Sequence, residues 1–169
     1  MKLVRSTLSD VPIIMSFIHD AQVYLASLNI DQWQDGYPNK EKIELDINNN
    51  DSYVVMDDNE TIIGTTVFTT KTEHAYKAIQ GKWITNDNDQ YGVIHRLAVG
   101  DKYRNLGLAR FVFKECHKRL KENNIGSLRI DTHEGNKGMQ YLLNDLGYIY
   151  CGVIILESGD ERLAFEKVL

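Results

Sequence analysis

What this chain has little of narrows its class. It carries two cysteines, Cys116 and Cys151, in 169 residues. Two thiols are too few for the disulfide framework of a small secreted domain. Both fall in segments that read as core helix and core strand, the usual place of reduced thiols, so a cytoplasmic protein is expected. Positive charge is not in excess: 19 Lys and Arg stand against 24 Asp and Glu, a formal net charge of −5. A nucleic-acid binder shows a basic stripe, and none stands out, so no nucleic-acid partner is expected. Long apolar runs are missing too. The first, residues 11–18, is interrupted by Pro12 and Ser16 and ends at His19 and Asp20. It is too short for a membrane span, no signal peptide is visible, and no membrane partner is expected. Repeats, linkers and low-complexity tracts are absent. With two prolines, 43% hydrophobic and 25% charged residues, the composition is that of an ordinary globular chain. The length suits a single domain, 1–169, whose folding takes about 70% of the unfolded chain's surface out of water.

Lys2–Arg5 reads as a short strand. Thr7 and Asp10 have the spacing of a capping box with an acid in the final place. Ile14, Phe17, Ile18, Ala21 and Leu25 then recur at helical spacing, which predicts a helix to about Ser27. "NIDQWQDGYPN" (29–39) has no period and is a loop with a Trp and a Tyr. Lys40–Asn48 is a second helix. Ser52–Met56 and residues 61–70 form an antiparallel pair about a turn at residues 57–60. Residues 71–89 read as a polar excursion with a helical turn near 75–79. A strand at 90–99 is followed by a helix at 108–123 with Ala109, Val112, Phe113, Cys116 and Leu120 on its apolar face, and Gly126 as its cap. Ser127–Thr132 is a strand with Leu128 and Ile130 on one face and Arg129 and Asp131 on the other. A helix at 136–146, ended by Gly147, buries Met139, Leu142, Leu143 and Leu146, and a hairpin of residues 148–156 and 162–168 closes the chain. Its edge strands offer pairing for a homodimer. The order begins as α+β and continues as strand, helix, strand. One mixed α/β sheet with helices on both faces satisfies it.

The strands at 90–99 and 127–132 are joined through one helix and are expected to run parallel. Ligands on such sheets bind beyond the carboxyl ends of the strands. Residues 100–108 lie at that end and lead into a helix start, whose amides and partial positive charge suit an anion. Gly107 allows a tight turn and a close approach, Ala109 keeps the first helical turn uncrowded, and Arg104 adds a cation. A phosphate or pyrophosphate cradle is one reading; a plain loop glycine at 107 is the other. Neither the P-loop nor the dinucleotide fingerprint fits these residues.

"IHRLAVGDKYRNLGLARFVF" (94–113) resembles the central motif of the GNAT superfamily of acyl-CoA-dependent N-acetyltransferases. Arg104, Gly107 and Ala109 fill its Arg/Gln-x-x-Gly-x-Gly/Ala places, and Asn105 stands where a Gly is frequent. Asn tolerates a positive φ better than most residues. "NKGMQYLLNDLGY" (136–148) resembles a second motif of that family, in the expected order and separation. The resemblance implies a mostly antiparallel mixed sheet with two splayed central parallel strands that admit the thioester between them. It implies acetyl-CoA as co-substrate and a pyrophosphate held by the amides of Arg104, Asn105, Leu106, Gly107, Leu108 and Ala109; no metal is expected. The pantetheine arm would pair with Leu97 and Val99 and hydrogen-bond Asn136. An oxyanion donor is expected among the backbone amides at Ala98 or Val99.

Acyl transfer to an amine needs a path for the amine's proton. Asp131 ends a parallel strand and stands five residues before Asn136, where some members of the family resemble it in carrying a catalytic acid. Its other reading is structural, as a cap for the helix at 136 or a partner of Arg129. His95, in the strand that lines the thioester, is the rival base or a packed strand histidine. His133 beside Asp131 makes a poor metal pair, since two ligands alone do not make a site. The family often places a tyrosine seven residues after the motif Asn as general acid; here that position is Leu143. Tyr141 lies about 200° around the helix; it lines the acceptor pocket or sits at the surface. Trp33 and Tyr37, with Asp31 and Asp35, would receive a cationic substrate, or Trp33 anchors the loop over the core. Trp83 would close the same pocket. The resulting expectation is direct acetyl transfer to a small-molecule or peptide amine. The rival is a CoA-binding sensor or partner module without catalysis, and a nucleotide-phosphate binder is a third reading.

Overall fold

The computed structural model describes every residue except Asp87. Eight strands hydrogen-bond in the order β1-β2-β3-β5-β6-β8-β7-β4, a mixed and mostly antiparallel sheet, and four α-helices accompany them. The chain gathers into two units, one of residues 1–68 and 94–115, the other of residues 69–93 and 116–169.

In the first unit β1 (Lys2–Arg5), β2 (Ser52–Met56) and β3 (Ile62–Thr69) are antiparallel, with Leu3 opposite Val55 and Ser52 opposite Val67. Helix α1 (Val11–Ser27) starts after a short 3-10 turn whose Asp10 carboxylate accepts from Thr7 N at 2.7 Å. The capping pair is therefore present, one turn ahead of the α-helix proper. Val11, Ile14, Phe17 and Ile18 are spaced to share a face. They meet Ile43 of α2 (Lys40–Asn48), Val54 of β2 and Ala98 of β5 (Gly92–Val99) in one buried cluster. Each such side chain contributes about 1.5–3 kcal/mol by leaving water. Strand β3 is covered on both faces, so its buried threonines need partners. Thr65 donates to Tyr53 O at 3.0 Å and Thr66 to His95 O at 3.3 Å.

The second unit holds β4 (Gln80–Gly81), β6 (Ser127–Thr132), α4 (Lys137–Asp145), β7 (Ile149–Ile155) and β8 (Glu161–Val168). β5 and β6 pair in parallel at their starts, Gly92 opposite Leu128 and Val93 opposite Arg129. The closing hairpin does not present its strands as edges: β8 lies between β6 and β7, and β4 pairs with β7 at Gly152 and Val153. That contact explains two glycines. Gly81 and Gly152 have φ of +146° and +141°, and a Cβ on either would overlap a carbonyl oxygen of the facing strand. The register of β7 shifts between Tyr150 and Gly152 to allow it.

Two expectations are corrected here. Residues 71–89 are not a mere polar excursion. They feed Tyr76 and Trp83 into a buried cluster with Tyr91, Val93, Cys151, Ile154 and Ala164. Trp83 is only 3% exposed. Its Nε1 donates to Tyr76 O at 2.9 Å, which removes the cost of burying the indole N–H. The cap of α3 (Leu108–Glu122) is Asn124, not Gly126. Asn124 takes φ of +58°, and Ile125 N donates to Leu120 O at 2.9 Å while Asn124 N donates to Lys121 O at 3.1 Å, a Schellman motif.

Candidate active site

The loop after β5 is built by its main chain. Tyr103 N donates to Gly100 O at 2.8 Å, closing a single 3-10 turn at Asp101–Tyr103. Asn105 and Gly107 then take left-handed φ of +61° and +78°, which turns the chain sharply twice. Successive N–H groups on such a turn make an anion-binding concavity. The first bond of α3 is Phe111 N to Gly107 O at 3.0 Å. The amides ahead of it therefore precede the helix's own acceptors, at its positive end. A Cβ on Gly107 would meet nothing within 4 Å, so the loop opens outward on that side. Leu106 is 65% exposed beside it while Leu108 is buried. The residues fit an anionic ligand held by main-chain donors.

Arg104 does not add an uncommitted cation to this loop. Its Nη2 lies 2.6 Å from Asp101 Oδ1 and donates to Asp20 O at 3.1 Å, and its guanidinium sits 4.3 Å from the Tyr24 ring centroid. The side chain is a strut between the loop and α1. Within β5, Arg96 has φ of +49°, an irregularity amid the strand that no glycine announced. Its Nε lies 2.9 Å from Asp46 Oδ2 with both groups buried, and Lys42 Nζ lies 3.0 Å from Asp46 Oδ1. Arg96 Nη1 donates to Tyr37 Oη at 2.5 Å. Tyr37 is thus oriented by Arg96, and Trp33, at φ of +68°, packs against the α1 cluster, the anchoring reading of that residue. Asp35 Oδ1 accepts from Tyr37 N at 3.1 Å. His95 is half-buried, Ala98 is buried, and Leu97 and Val99 are half-buried at the end of β5.

The second unit gathers another set. Asp131 neither caps α4 nor pairs with Arg129. Its Oδ1 accepts from Tyr76 Oη at 2.7 Å. Burial, and then the Asp131 charge it faces, hold the Tyr76 phenol well above its ordinary range. Asn136 caps α4 itself, its Oδ1 accepting from Met139 N at 3.1 Å, so a bond from Asn136 to a ligand falls to its Nδ2. His133 Nδ1 accepts from Gly135 N at 2.9 Å, which places the proton of the neutral ring on Nε2. Among the described residues no group of three or more His, Cys, Asp or Glu could hold a metal ion. Tyr141 is 76% exposed, and Leu143 is fully buried. Arg129 meets the same aromatic cluster from the same face of β6. It lies between the rings of Trp83 and Tyr91, 4.5 and 4.0 Å from their centroids, with Nε donating to Glu166 Oε1 at 3.0 Å. Neither Tyr76 nor Arg96 was legible as part of a site. Tyr76 lies in a segment without period, and Arg96 reads as one more alternating strand residue.

A family model described as the acetyltransferase (GNAT) family matches residues 22–148. This chain belongs to the GNAT acetyltransferase family. Comparison with curated proteins found no match. A GNAT-family acetyltransferase of Streptococcus agalactiae is 34% identical, with 99% of this chain and 95% of that one covered and a TM-score of 0.88. One from Listeria monocytogenes is 16% identical, with 99% and 94% covered and a TM-score of 0.77. The PaiA N-acetyltransferase of Thermoplasma acidophilum, solved in complex with coenzyme A, is 17% identical, with 99% and 98% covered and a TM-score of 0.66. The last two share the fold. The mixed, mostly antiparallel sheet read from the sequence is the sheet of this GNAT chain. Among the described residues no helix is long and apolar enough to cross a membrane.

Proposed function

We propose that this GNAT protein is an N-acetyltransferase that moves the acetyl group of acetyl-CoA directly to a primary amine. The observation that carries the reading is the loop at 100–108, with its two left-handed residues, its outward opening at Gly107 and its exit into the start of α3. Main-chain donors at a helix start suit the CoA diphosphate without a side-chain cation. The coenzyme A complex of the Thermoplasma relative supports the same co-substrate. In the reaction the amine nitrogen forms a bond to the thioester carbonyl carbon, the C–S bond breaks with its electron pair going to sulfur, and CoA leaves as the thiolate, which takes its proton from water. A backbone amide near Ala98 or Val99 donates to the oxyanion. Asp131 takes the amine's proton, with His95 the alternative base. The buried thiols of Cys116 and Cys151, neither in a disulfide, suit a reducing compartment, and we place the activity in the cytoplasm.

One observation favours a second reading. Leu143 is fully buried where the family often has a tyrosine acid. A CoA-binding module without catalysis would have no use for that acid. Incubation with acetyl-CoA and a panel of polyamines, amino-acid derivatives, aminoglycosides and peptide termini, following thiol release, separates the two. Release with at least one amine, lost in Asp131→Asn while CoA still binds, is the expected outcome. Tight CoA binding with no release across the panel supports the module.

A further inference from the structure

Asp131 is held by a group outside both motif segments of this chain, 94–113 and 136–148. Tyr76 comes from the short 3-10 turn His74–Ala78, is 2% exposed, and reaches Asp131 across 55 positions of sequence. Two aromatic rings pack on its ring and one bond holds its main chain. Trp83 lies 5.2 Å away between centroids and donates to the Tyr76 carbonyl, and Tyr91 stacks at 6.3 Å with a 22° tilt. Tyr91 in turn holds the turn's start, its Oη accepting from Glu73 N at 3.3 Å. A buried phenol needs one acceptor, and a half-buried carboxylate at a strand end has little else to fix its rotamer. A phenol this well supported and aimed at one carboxylate oxygen is more than a satisfied core tyrosine.

We propose that Tyr76 is a positioning residue for the base, fixing the Asp131 carboxylate through its hydroxyl so that the second oxygen meets the amine. The inference rests on the acetyl-transfer reading of Asp131. In the step, the proton passes from the amine nitrogen to Asp131 and Tyr76 keeps its own, consistent with a phenol held well above its ordinary range. The titratable groups facing the pair are few. Glu73 and Tyr91 approach Tyr76, His74 and Lys77 of the same turn are exposed, and His133 follows on the strand. β8 places Ala164 opposite Asp131, with Leu163 and Phe165 on either side, none of them titratable.

The test uses the full chain and the amine that gives thiol release. Tyr76→Phe keeps the ring and its stacking. Its kcat is expected to fall about tenfold, the loss of one hydrogen bond to a charged group, while KM for acetyl-CoA stays within twofold. A second readout does not use Tyr76→Phe. The 13C signal of the Tyr76 Cζ atom is expected to shift between wild type and Asp131→Asn, because the phenol loses its anionic acceptor. A kcat for Tyr76→Phe within twofold of wild type, or a Tyr76 signal unmoved in Asp131→Asn, overturns the positioning role alone. Full turnover in Asp131→Asn, or no thiol release by wild type with any amine, overturns the acetyl-transfer reading beneath it and the positioning role with it.

Discussion

Placing a side chain at Gly107 tests the cradle with numbers taken from the structure. A Cβ there meets nothing within 4 Å, so valine has room in the protein alone. Its cost is backbone hand: φ of +78° suits glycine, and an L-residue held there loses about 1–2 kcal/mol. For a chain of this size that lowers Tm by about 2–8 °C. Binding suffers differently. If the valine displaces the diphosphate from two amides, two charge-assisted hydrogen bonds of about 1.5 kcal/mol each are lost, roughly a hundredfold in Kd. With CoA at about 100 times the wild-type Kd, ligand stabilises wild type by about 2.7 kcal/mol and Gly107→Val by about 0.4 kcal/mol. The CoA-induced rise in Tm should therefore shrink from about 5–11 °C to about 1 °C. Gly159 supplies the control. It sits in the β7–β8 turn at φ of +90°, with nothing within 4 Å of its Cβ. Gly159→Val carries the same strain away from the loop, and should lose the same stability while keeping the full CoA-induced rise. If Gly107→Val keeps the full rise as well, main-chain recognition at this loop is wrong.

Two further outcomes concern stability. Arg129→Met should cost about 3–5 kcal/mol, because it leaves the fully buried Glu166 without its cation, and a Tm change under 2 °C would refute the clamp. Burial pushes the Glu166 pKa up, but hydrogen bonds from Thr85, Arg129 and Ser127 outweigh it and hold it below the ordinary range. Its contribution is whole above the ordinary glutamate pKa and drains as pH falls through the lower folded value. In Arg129→Met that decline, followed by urea unfolding, should be smaller, because without the guanidinium the folded value rises towards the ordinary one. His117 is the second case. Burial, aided by Lys167 and Lys121, pulls its pKa down to about 4, and its Nε2 lies 2.7 Å from Tyr148 Oη. The unfolded chain therefore takes a proton first, so stability is whole above pH 6.5 and drains between 6.5 and 4. Proton NMR of the ring checks it, and a midpoint near 6.5 would reject the buried neutral state; His117→Gln should flatten stability over that range.

The elements legible in the sequence are those whose burial is decided by their own residues. The apolar spacing of α1 and the bounds of α2, β2 and β6 needed no distant partner, and the structure repeats them. The loop at 105–107 was legible for the same reason, since Asn105 and Gly107 announce a left-handed main chain locally. The cap of α3 was legible and misread. Leu120 and Ile125 are the apolar pair that brackets a Schellman turn, and that pair selects Asn124 over Gly126.

Side-chain charge behaves differently, because its partners come from afar. Arg129 and Asp131 alternate on β6 as if both faced solvent. Yet Glu166, from β8, and Thr85, from the excursion, take the first, while Tyr76 takes the second. Trp83 and Tyr76 stand seven positions apart in a polar segment, a spacing with no period. Only the acceptors waiting for their polar tips make their burial favourable. Arg104 differs in having a local partner: its charge is answered by Asp101 three residues before it, and by a carbonyl of α1. A motif arginine can thus be needed for the shape of an anion loop while its charge is already neutralised. Substituting Arg104 by Met should then loosen the loop against α1 more than it changes the salt dependence of CoA binding, whereas an arginine in direct contact with the diphosphate would show the reverse.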